Sequence, residues 1–350
     1  MDSVKIKEQK AIGFKLLKKD RAPIERRVVQ ILFVLMILYI GIQFMGFVNS
    51  YADPNATVMV PRPSGVEAFL PISALVALKS WLVTGIFDTV HPAGLVILLL
   101  AMALSLVFKR SFCSWICPIG TLSEGLAVVG RKLFGKNFVV PRWLDYPLRS
   151  IKYILLSFFI VFILIFMDGA SAYGFLQTPY NMIADVKMLD FFKNLTGVGI
   201  TVIAVLALLS LLFQNFWCRY LCPYGALMSL LSILSPWKIR RNADTCISCQ
   251  KCTAVCPNQL KVAEAKSVWS PECSGCLNCV KSCPVKGTLE FSSPASRGRG
   301  LILDSKGVAI AIVVIWFMVV ALAKFTGHWE TSIPPEMYKI LIPQAGQFNH

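Results

Sequence analysis

The chemistry of this chain rests on its twelve cysteines. Eight of them form two consecutive copies of the spacing C-x2-C-x2-C-x3-C-P. This spacing is typical of bacterial ferredoxins that hold two four-iron clusters, because closely spaced thiolates in a tight turn can converge on the irons of one cluster. The first copy contains Cys246, Cys249, Cys252 and Cys256, and the second contains Cys273, Cys276, Cys279 and Cys283.

In two-cluster ferredoxins the fourth cysteine of each copy binds the cluster of the other copy. The spacing therefore predicts one [4Fe-4S] cluster bound by Cys246, Cys249, Cys252 and Cys283, and another bound by Cys273, Cys276, Cys279 and Cys256. A zinc site is the alternative for clustered cysteines. Zinc usually takes two well-separated pairs, whereas here four cysteines fall within eleven residues and end in proline.

The other four cysteines form a second repeated motif, C-x3-C-P-x-G. Cys113 and Cys117 lie in the first copy, and Cys218 and Cys222 lie 105 residues later in the second. The alternative is that these cysteines are only small buried residues at a helix end. The shared proline, glycine and intervening aromatic residue instead favour a role as metal ligands or redox-active thiols. Two hypotheses stay open: the four thiols bind a third cluster, or they form two redox-active dithiols.

The composition indicates a membrane protein, because 56% of the 350 residues are hydrophobic and only 15% are charged. A weaker apolar segment at 66–86 contains Lys79, whose burial in mid-membrane costs about 2.5–3.5 kcal/mol, so we expect it to be re-entrant or interfacial. Apolar stretches long enough to cross a bilayer are predicted at residues 28–48, 91–108, 151–167, 197–216 and 307–323.

The distribution of charge predicts the orientation of these spans. With an inside N-terminus, 29 of the 35 Lys and Arg residues fall in inside segments, including the pair Lys109 and Arg110, which follows the second span as a positive stop. This bias accounts for the net charge of +16 without a nucleic-acid partner. Reduced thiols also fit a cytoplasmic face. We expect a multi-pass protein of the bacterial inner membrane, with the N-terminus and the ferredoxin module in the cytoplasm and no cleavable signal peptide.

The predicted fold is an all-α transmembrane bundle with a small α+β two-cluster ferredoxin module. The bundle has about five spanning helices plus a re-entrant segment, and it contains a unit of two helices that is duplicated along the chain. The predicted domains are a basic N-terminus at 1–27, a membrane domain at 28–237, the ferredoxin module at 238–300, a final transmembrane helix at 301–325 and an extracytoplasmic tail at 326–350.

The histidines offer a weaker signal. His91 starts the second predicted span and His328 follows the last, so both are expected near the outer surface. An imidazole at His91 could accept a proton from a quinol. The alternatives are an ordinary interfacial residue, or a haem held by His91 and His328, although no C-x-x-C-H haem motif is present.

The cysteine-bearing helix ends, followed by the two-cluster module, resemble the NapH/NosR-type membrane polyferredoxins, which include the CcoG (FixG) proteins. The resemblance covers roughly residues 28–325. It implies electron transfer between the quinone pool, or a cytoplasmic donor, and partner redox proteins on either side of the membrane, often in anaerobic respiration. We find no counterpart of the flavin-binding domain of NosR or of the C-terminal domain of CcoG, so NapH-like proteins match best.

Two other functions are compatible with the same motifs. A CcoG-like protein would reduce a metal ion during cofactor maturation. A redox sensor would use the clusters to respond to the redox state of the cell. The chain contains no nucleophile and base constellation. We therefore expect an electron-transfer subunit, such as one that forms part of a quinol dehydrogenase, and no hydrolytic activity.

Overall fold

The computed structural model describes residues 22–53, 58–294 and 300–348. Helices dominate it, and we number helices and strands in chain order. The helices of the first half are α1 (Ile24–Ala52), α2 (Pro71–Thr84), α3 (Pro92–Phe108), α4 (Ser111–Trp115), α5 (Pro118–Phe134) and α6 (Arg142–Val161). Those of the second half are α7 (Gly169–Leu176), α8 (Pro179–Met182), α9 (Ala184–Lys193), α10 (Gly197–Leu212), α11 (Pro223–Leu231), α12 (Lys251–Ala254), α13 (Asn278–Ser282), α14 (Ser305–Phe325) and α15 (Pro335–Leu341).

Among the described residues, three helical segments are long and apolar enough to cross a membrane: Ile24–Ala52, Trp143–Phe166 and Ser305–Phe325. Helices α9 and α10 together make a fourth candidate, although they are bent by 84°. The predicted spans at 91–108 and 197–216 correspond to α3 and α10, which have 17 and 16 residues. A straight crossing needs about 20 residues, so helices form where spans are predicted, but the described residues do not contain five full-length spans.

The segment at 66–86 forms a 3-10 turn, Ser64–Phe69, and then helix α2. Proline at the first position starts α2, and Gly85 ends it in the left-handed conformation with φ 73°. The 14 residues between them extend about 21 Å at 1.5 Å per residue. This length is shorter than a hydrocarbon core of about 30 Å. Lys79 donates from Nζ to the carbonyl of Leu164 at 3.0 Å.

The chain divides into two compact units. The first unit contains every cysteine, and the second contains His91. The first comprises Met1–Val34, Met102–Leu155 and Val202–Val313, and the second comprises Leu35–Ala101, Leu156–Thr201 and Val314–His350.

The ferredoxin segment of the first unit forms a small antiparallel sheet with two short helices, α12 and α13. Its strands are β1 (Lys238–Arg241), β2 (Leu289–Ser292) and β3 (Ile302–Leu303), in the order β1-β2-β3. Lys238 pairs with Ser292 at one end of the first ladder, and Phe291 pairs with Leu303 in the second. The sheet therefore continues past residue 300, where the sequence analysis ends the module.

In the second unit, a buried apolar cluster joins the end of α1 to the C-terminal segment. Phe47 lies at its centre, with its ring edge-on to that of Tyr338 at 5.2 Å. A separate apolar cluster is formed where α2 packs with α7, around Ala77 and Ala172. These contacts give the second unit its own core.

Candidate iron-sulfur centres

Two cavities in the ferredoxin module are each lined by four cysteines. Counting the space that opens to solvent, their volumes are about 360 and 380 Å³. Each cavity groups three cysteines from one C-x2-C-x2-C-x3-C-P copy with the fourth cysteine of the other copy. The first is lined by Cys256, Cys273, Cys276 and Cys279, and the second by Cys246, Cys249, Cys252 and Cys283.

The described residues contain no group of three or more His, Cys, Asp or Glu side chains arranged to hold a single metal ion. A four-iron cluster takes its thiolates differently, since each thiolate binds its own iron and the sulfurs surround a larger body. Cavities enclosed by four cysteines match this requirement.

The two cysteine loops share one backbone conformation. Ser248 and Gln250 have positive φ values of 54° and 58° in the first loop, and Gly275 and Leu277 have 61° and 59° at the matching positions of the second. In this geometry the N–H of Ser248 hydrogen-bonds the Cys246 thiol and lowers its pKa. N–H groups directed at ligand sulfurs are among the features that set cluster potentials.

The second pair of motifs also repeats in the backbone. Cys117 and Cys222 each immediately precede a helix that begins with proline, α5 or α11. The N–H of Cys117 donates to Phe112 O, and the N–H of Cys222 donates to Trp217 O, both at 3.0 Å. The N–H of Gly225 also contacts the Cys222 sulfur at 3.3 Å. The shared sequence motif therefore produces a shared thiol-bearing turn.

The glycine of the motif is needed for space in the first copy. A Cβ on Gly120 would lie 2.2 Å from the carbonyl oxygen of Cys113, which is far inside van der Waals contact. A Cβ on Gly225 would lie 3.4 Å from the carbonyl oxygen of Cys218, an ordinary contact. The close approach of α5 to the preceding turn thus depends on glycine at position 120.

The four motif cysteines lie close enough together for their thiols to interact electrostatically. Burial raises the pKa of Cys113 to about 12 and that of Cys117 to about 11. As free thiols these groups would be neutral at physiological pH, and metal coordination is the usual means of deprotonating such buried thiols. The site therefore has the donor set of an iron-sulfur centre.

Residues inside the C-x3-C turns hold the neighbouring ferredoxin loops. Ser114 donates from Oγ to the carbonyl of Ser274 at 2.6 Å, and Trp115 donates from Nε1 to the carbonyl of Gly275 at 3.1 Å. In the second copy, Arg219 donates from Nη2 to Oε1 of Gln259 at 3.1 Å. These contacts reach the chain beside Cys256, Cys273 and Cys276, so both turns contact segments that line the first cavity.

A buried charge network, which we call the Glu272 network, joins the same elements. Glu272 accepts hydrogen bonds from Lys152 Nζ at 2.7 and 2.8 Å, from Tyr153 Oη at 2.9 Å and from Arg110 Nη1 at 3.4 Å. Burial alone would raise the pKa of Glu272, but Arg110 and Lys152 outweigh it and lower the pKa to about 2. Glu272 immediately precedes Cys273, so the network fixes one end of a cysteine loop.

No local sequence pattern predicts the Glu272 network. Lys109 and Arg110, which the charge pattern indicates as a positive stop after the second predicted span, are both buried, with 0% and 3% exposure. Glu272 carries no local signal except its position next to a cysteine, and its partners lie more than 100 residues away in sequence.

The second unit contains another buried network, which we call the Arg62 network. Arg62 pairs with Glu67 and Asp185, each at 2.7 Å. The His91 ring, 1% exposed, donates from Nε2 to the carbonyl of Asn181 at 2.6 Å, and its Nδ1 lies 3.5 Å from Oε1 of Glu67. Both ring nitrogens of His91 are therefore engaged by protein groups.

His328 has different surroundings from His91. Its Nδ1 lies 3.1 Å from the hydroxyl of Thr326, and its ring is edge-on to Phe87 with the centroids 4.7 Å apart. The structure thus assigns local partners to both histidines of the haem hypothesis. His350 lies outside the described residues.

Family comparisons agree with the cysteine geometry. A model described as a 4Fe-4S binding domain matches residues 90–137 and 195–242, and one described as a 4Fe-4S dicluster domain matches residues 238–293. YccM of Escherichia coli (strain K12), a protein provisionally named for electron transport, is 45% identical over 327 residues, which cover 93% of this chain and 91% of YccM. The chain belongs to the NapH-like membrane polyferredoxins.

Other members of this polyferredoxin family share less of the chain. The ferredoxin-type protein NapH of Escherichia coli is 30% identical over 210 residues, covering 56% of this chain and 66% of NapH. The methylamine utilization ferredoxin-type protein MauN of Methylorubrum extorquens is 29% identical over 224 residues, covering 61% of this chain and 71% of MauN. No solved structure matches the chain. The polyferredoxin is thus an iron-sulfur membrane protein with a role in electron transport, as the sequence predicts.

Proposed function

We propose that this polyferredoxin relays electrons between the quinone pool and partner redox proteins through three four-iron clusters. The observation that carries the proposal is that all twelve cysteines fall within one compact unit and sort into three sets of four. Two sets line cavities in the ferredoxin module, and the third lies at the paired C-x3-C turns. No cysteine is left over for a separate disulfide or catalytic role.

The ligand assignment follows these sets. One cluster is bound by Cys246, Cys249, Cys252 and Cys283, and a second by Cys256, Cys273, Cys276 and Cys279. The third is bound by Cys113, Cys117, Cys218 and Cys222. The alternative of two dithiols for the last set is less suitable, because thiols with raised pKa values are poor nucleophiles for disulfide exchange.

The contacts suggest the order of electron transfer. Ser114 and Trp115, which lie between Cys113 and Cys117, hydrogen-bond the loop that carries Cys273 and Cys276. The cluster of this loop is therefore the middle one, with the C-x3-C cluster on one side and the Cys246 cluster on the other. Electrons would pass through the three in that sequence.

The proposed topology has five crossings in the bacterial inner membrane, with the N-terminus and the ferredoxin module in the cytoplasm. It is supported by the three long apolar helices and by the charge bias of the loops. The short helices α3 and α10 would supply the remaining two crossings. Each leads into a cysteine turn, and these turns then mark the cytoplasmic ends of the two crossings.

His91 remains a candidate for the quinol side of the relay. Because its ring is buried and both nitrogens are engaged, its contribution would be to receive a proton within the Arg62 network and not to stack on the quinol. Anaerobic respiration is the process that the family resemblance suggests for such a relay.

The test is anaerobic reconstitution of the purified chain in lipid vesicles that contain a quinol. We expect the quinol to reduce the clusters and the matching quinone to reoxidise them, as followed by visible absorbance and electron paramagnetic resonance. Clusters that ignore both forms, but are reoxidised by copper ions, would contradict the relay and support the metal-reducing function instead.

A matched control variant distinguishes the role of the third cluster from that of the two ferredoxin clusters. In Cys222→Ser the third cluster should be lost, while the two ferredoxin clusters still accept electrons from dithionite. Quinol-dependent reduction of these two clusters should then fall at least tenfold. Undiminished reduction by quinol in this variant would remove the third cluster from the path.

A further inference from the structure

We propose that the dipeptide Lys109-Arg110 supplies one cation to each of two neighbouring clusters and raises both reduction potentials. Lys109 would act on the cluster of Cys256, Cys273, Cys276 and Cys279, and Arg110 on the cluster of Cys113, Cys117, Cys218 and Cys222. The inference rests on the proposed function for the presence of the third cluster. It gives two adjacent basic residues separate roles in the relay.

Lys109 and Arg110 are buried, unlike the exposed basic residues that usually follow a transmembrane helix. A positive stop works by placing charge among lipid headgroups and water. Lys109 and Arg110 are 0% and 3% exposed, so neither side chain reaches headgroups. Burial of an ammonium or guanidinium group is costly unless negative charge compensates it. Each therefore needs an anionic partner inside the protein.

Lys109 is held beside the first cavity by its backbone. It has φ 61°, an uncommon conformation for a residue with a side chain, and its N–H donates to Ser235 Oγ at 3.1 Å. A Cβ on Gly275 would lie 3.5 Å from the Cβ of Lys109. The ammonium interacts electrostatically with the Cys273 thiol, yet Nζ has no hydrogen-bond partner among the described residues.

Arg110 is turned toward the other set of thiols. Nη1 donates to Ser229 Oγ at 2.7 Å and lies 3.4 Å from Glu272. The guanidinium also interacts electrostatically with Cys113 and Cys218. Within the described part of the chain, Nε is buried without a hydrogen-bond partner. Because Glu272 is already shared with Lys152, it does not fully neutralise Arg110.

A four-iron cluster bound by four thiolates is an anion, and reduction adds one more negative charge. A buried cation therefore stabilises the reduced form more than the oxidised form and raises the potential, since net charge and hydrogen bonds to sulfur are the main protein controls on it. Lys109 interacts with Cys273, whereas Arg110 interacts with Cys113 and Cys218 and, less than Lys109 does, with Cys273.

The experiment is a redox titration of the whole purified protein, followed by electron paramagnetic resonance, for Lys109→Gln and Arg110→Gln. The couple that is missing from Cys222→Ser identifies the C-x3-C cluster. We expect Arg110→Gln to lower the potential of that couple, and Lys109→Gln to lower one of the two couples that remain. Each shift should correspond to about a tenfold loss of reduced cluster at fixed ambient potential, or about 59 mV for one electron.

Three controls keep the outcome decisive. Lys109→Arg and Arg110→Lys retain the charge and should keep potentials near wild type. Lys266→Gln removes the same charge from an exposed position and should shift neither couple. Unchanged potentials in the neutral variants, or equal shifts in the charge-retaining variants, would overturn the proposal.

Iron and sulfide content separates this inference from the proposed function. A wild-type chain with two clusters only would contradict the third cluster and the Arg110 half together. The Lys109 half would then be decided by the potential of the ferredoxin couple in Lys109→Gln.

Discussion

The two units of the polyferredoxin each bury a charge network, and the networks differ in how completely they are paired. In the Arg62 network, one guanidinium meets two carboxylates, and His91 completes the group with contacts to Glu67 and Asn181. In the Glu272 network, one carboxylate accepts hydrogen bonds from both Lys152 and Arg110, so the network carries an excess of positive charge.

This difference follows the cysteines. The network with excess carboxylate lies in the unit without thiols, where a proton on His91 can balance it. The network with excess cation lies among the thiols, where ligand sulfur and cluster charge can balance it. On the proposed ligand assignment, buried charge in the first unit would compensate the charge of the clusters, while in the second unit a proton on His91 would compensate the carboxylates.

The largest effect is expected for Glu272→Ala. Removing this carboxylate leaves Lys152 and Arg110 buried together without their shared partner, which should cost about 3–5 kcal/mol. We expect loss of iron and a lower unfolding midpoint in mixed detergent micelles. Glu264→Ala, which breaks an exposed pair with Lys261, should change stability by about 0–1 kcal/mol. A stable, fully loaded Glu272→Ala protein would contradict the described role of the network.

A somewhat smaller effect is expected for Arg62→Gln in the other network. Glu67 and Asp185 would be left buried together, but a carboxylate can relieve this by binding a proton, so we expect a cost of about 3 kcal/mol. The iron content should stay at the wild-type value because no cysteine lies in this unit. The unfolding midpoint of Arg62→Gln shows whether the protein is folded when its iron is assayed. Loss of iron from folded Arg62→Gln would show that the two networks are not functionally distinct.

The next effect compares the two cysteine turns. Gly120→Ala places a methyl group against the carbonyl of Cys113 and should destabilise the protein by about 1–3 kcal/mol, with weaker binding of the third cluster. Gly225→Ala, its matched control, should cost less than about 1 kcal/mol because the corresponding contact is ordinary. Equal behaviour of the two variants in iron content and unfolding midpoint would contradict this asymmetry.

The smallest effect is expected for Trp115→Phe. The variant loses the hydrogen bond from Nε1 to the carbonyl of Gly275, worth about 1 kcal/mol, and keeps most of the buried ring. Electron transfer from the C-x3-C cluster to the ferredoxin clusters should slow modestly, as measured by rapid-mixing absorbance. Trp143→Phe, at an exposed position, should leave both the rate and the unfolding midpoint unchanged.

The sequence predicts the features that depend on local spacing. The ferredoxin motifs, their α+β context and the 105-residue repeat all involve residues close in the chain or identical between copies. The sequence predicts helix lengths less well: the apolar run continues to Phe216, but α10 ends at Leu212, and a separate wider helical turn at Trp217–Leu221 contains Cys218.

The charge networks could not be predicted because their partners are distant in sequence. Lys109 and Arg110 look like a positive stop in any local window, yet both side chains are buried and Lys109 has a left-handed backbone with φ 61°. Glu272 meets Lys152 across 120 residues. Such pairings depend on how the helices pack, and one sequence carries no direct signal for them.

We propose above that the four cysteines of the C-x3-C turns bind a third cluster. The most direct measurement is the iron and acid-labile sulfide content of anaerobically purified protein, compared between wild type and Cys222→Ser. Three clusters predict about twelve irons and twelve sulfides per chain in wild type and about eight of each in the variant. About eight of each in both proteins would contradict the account.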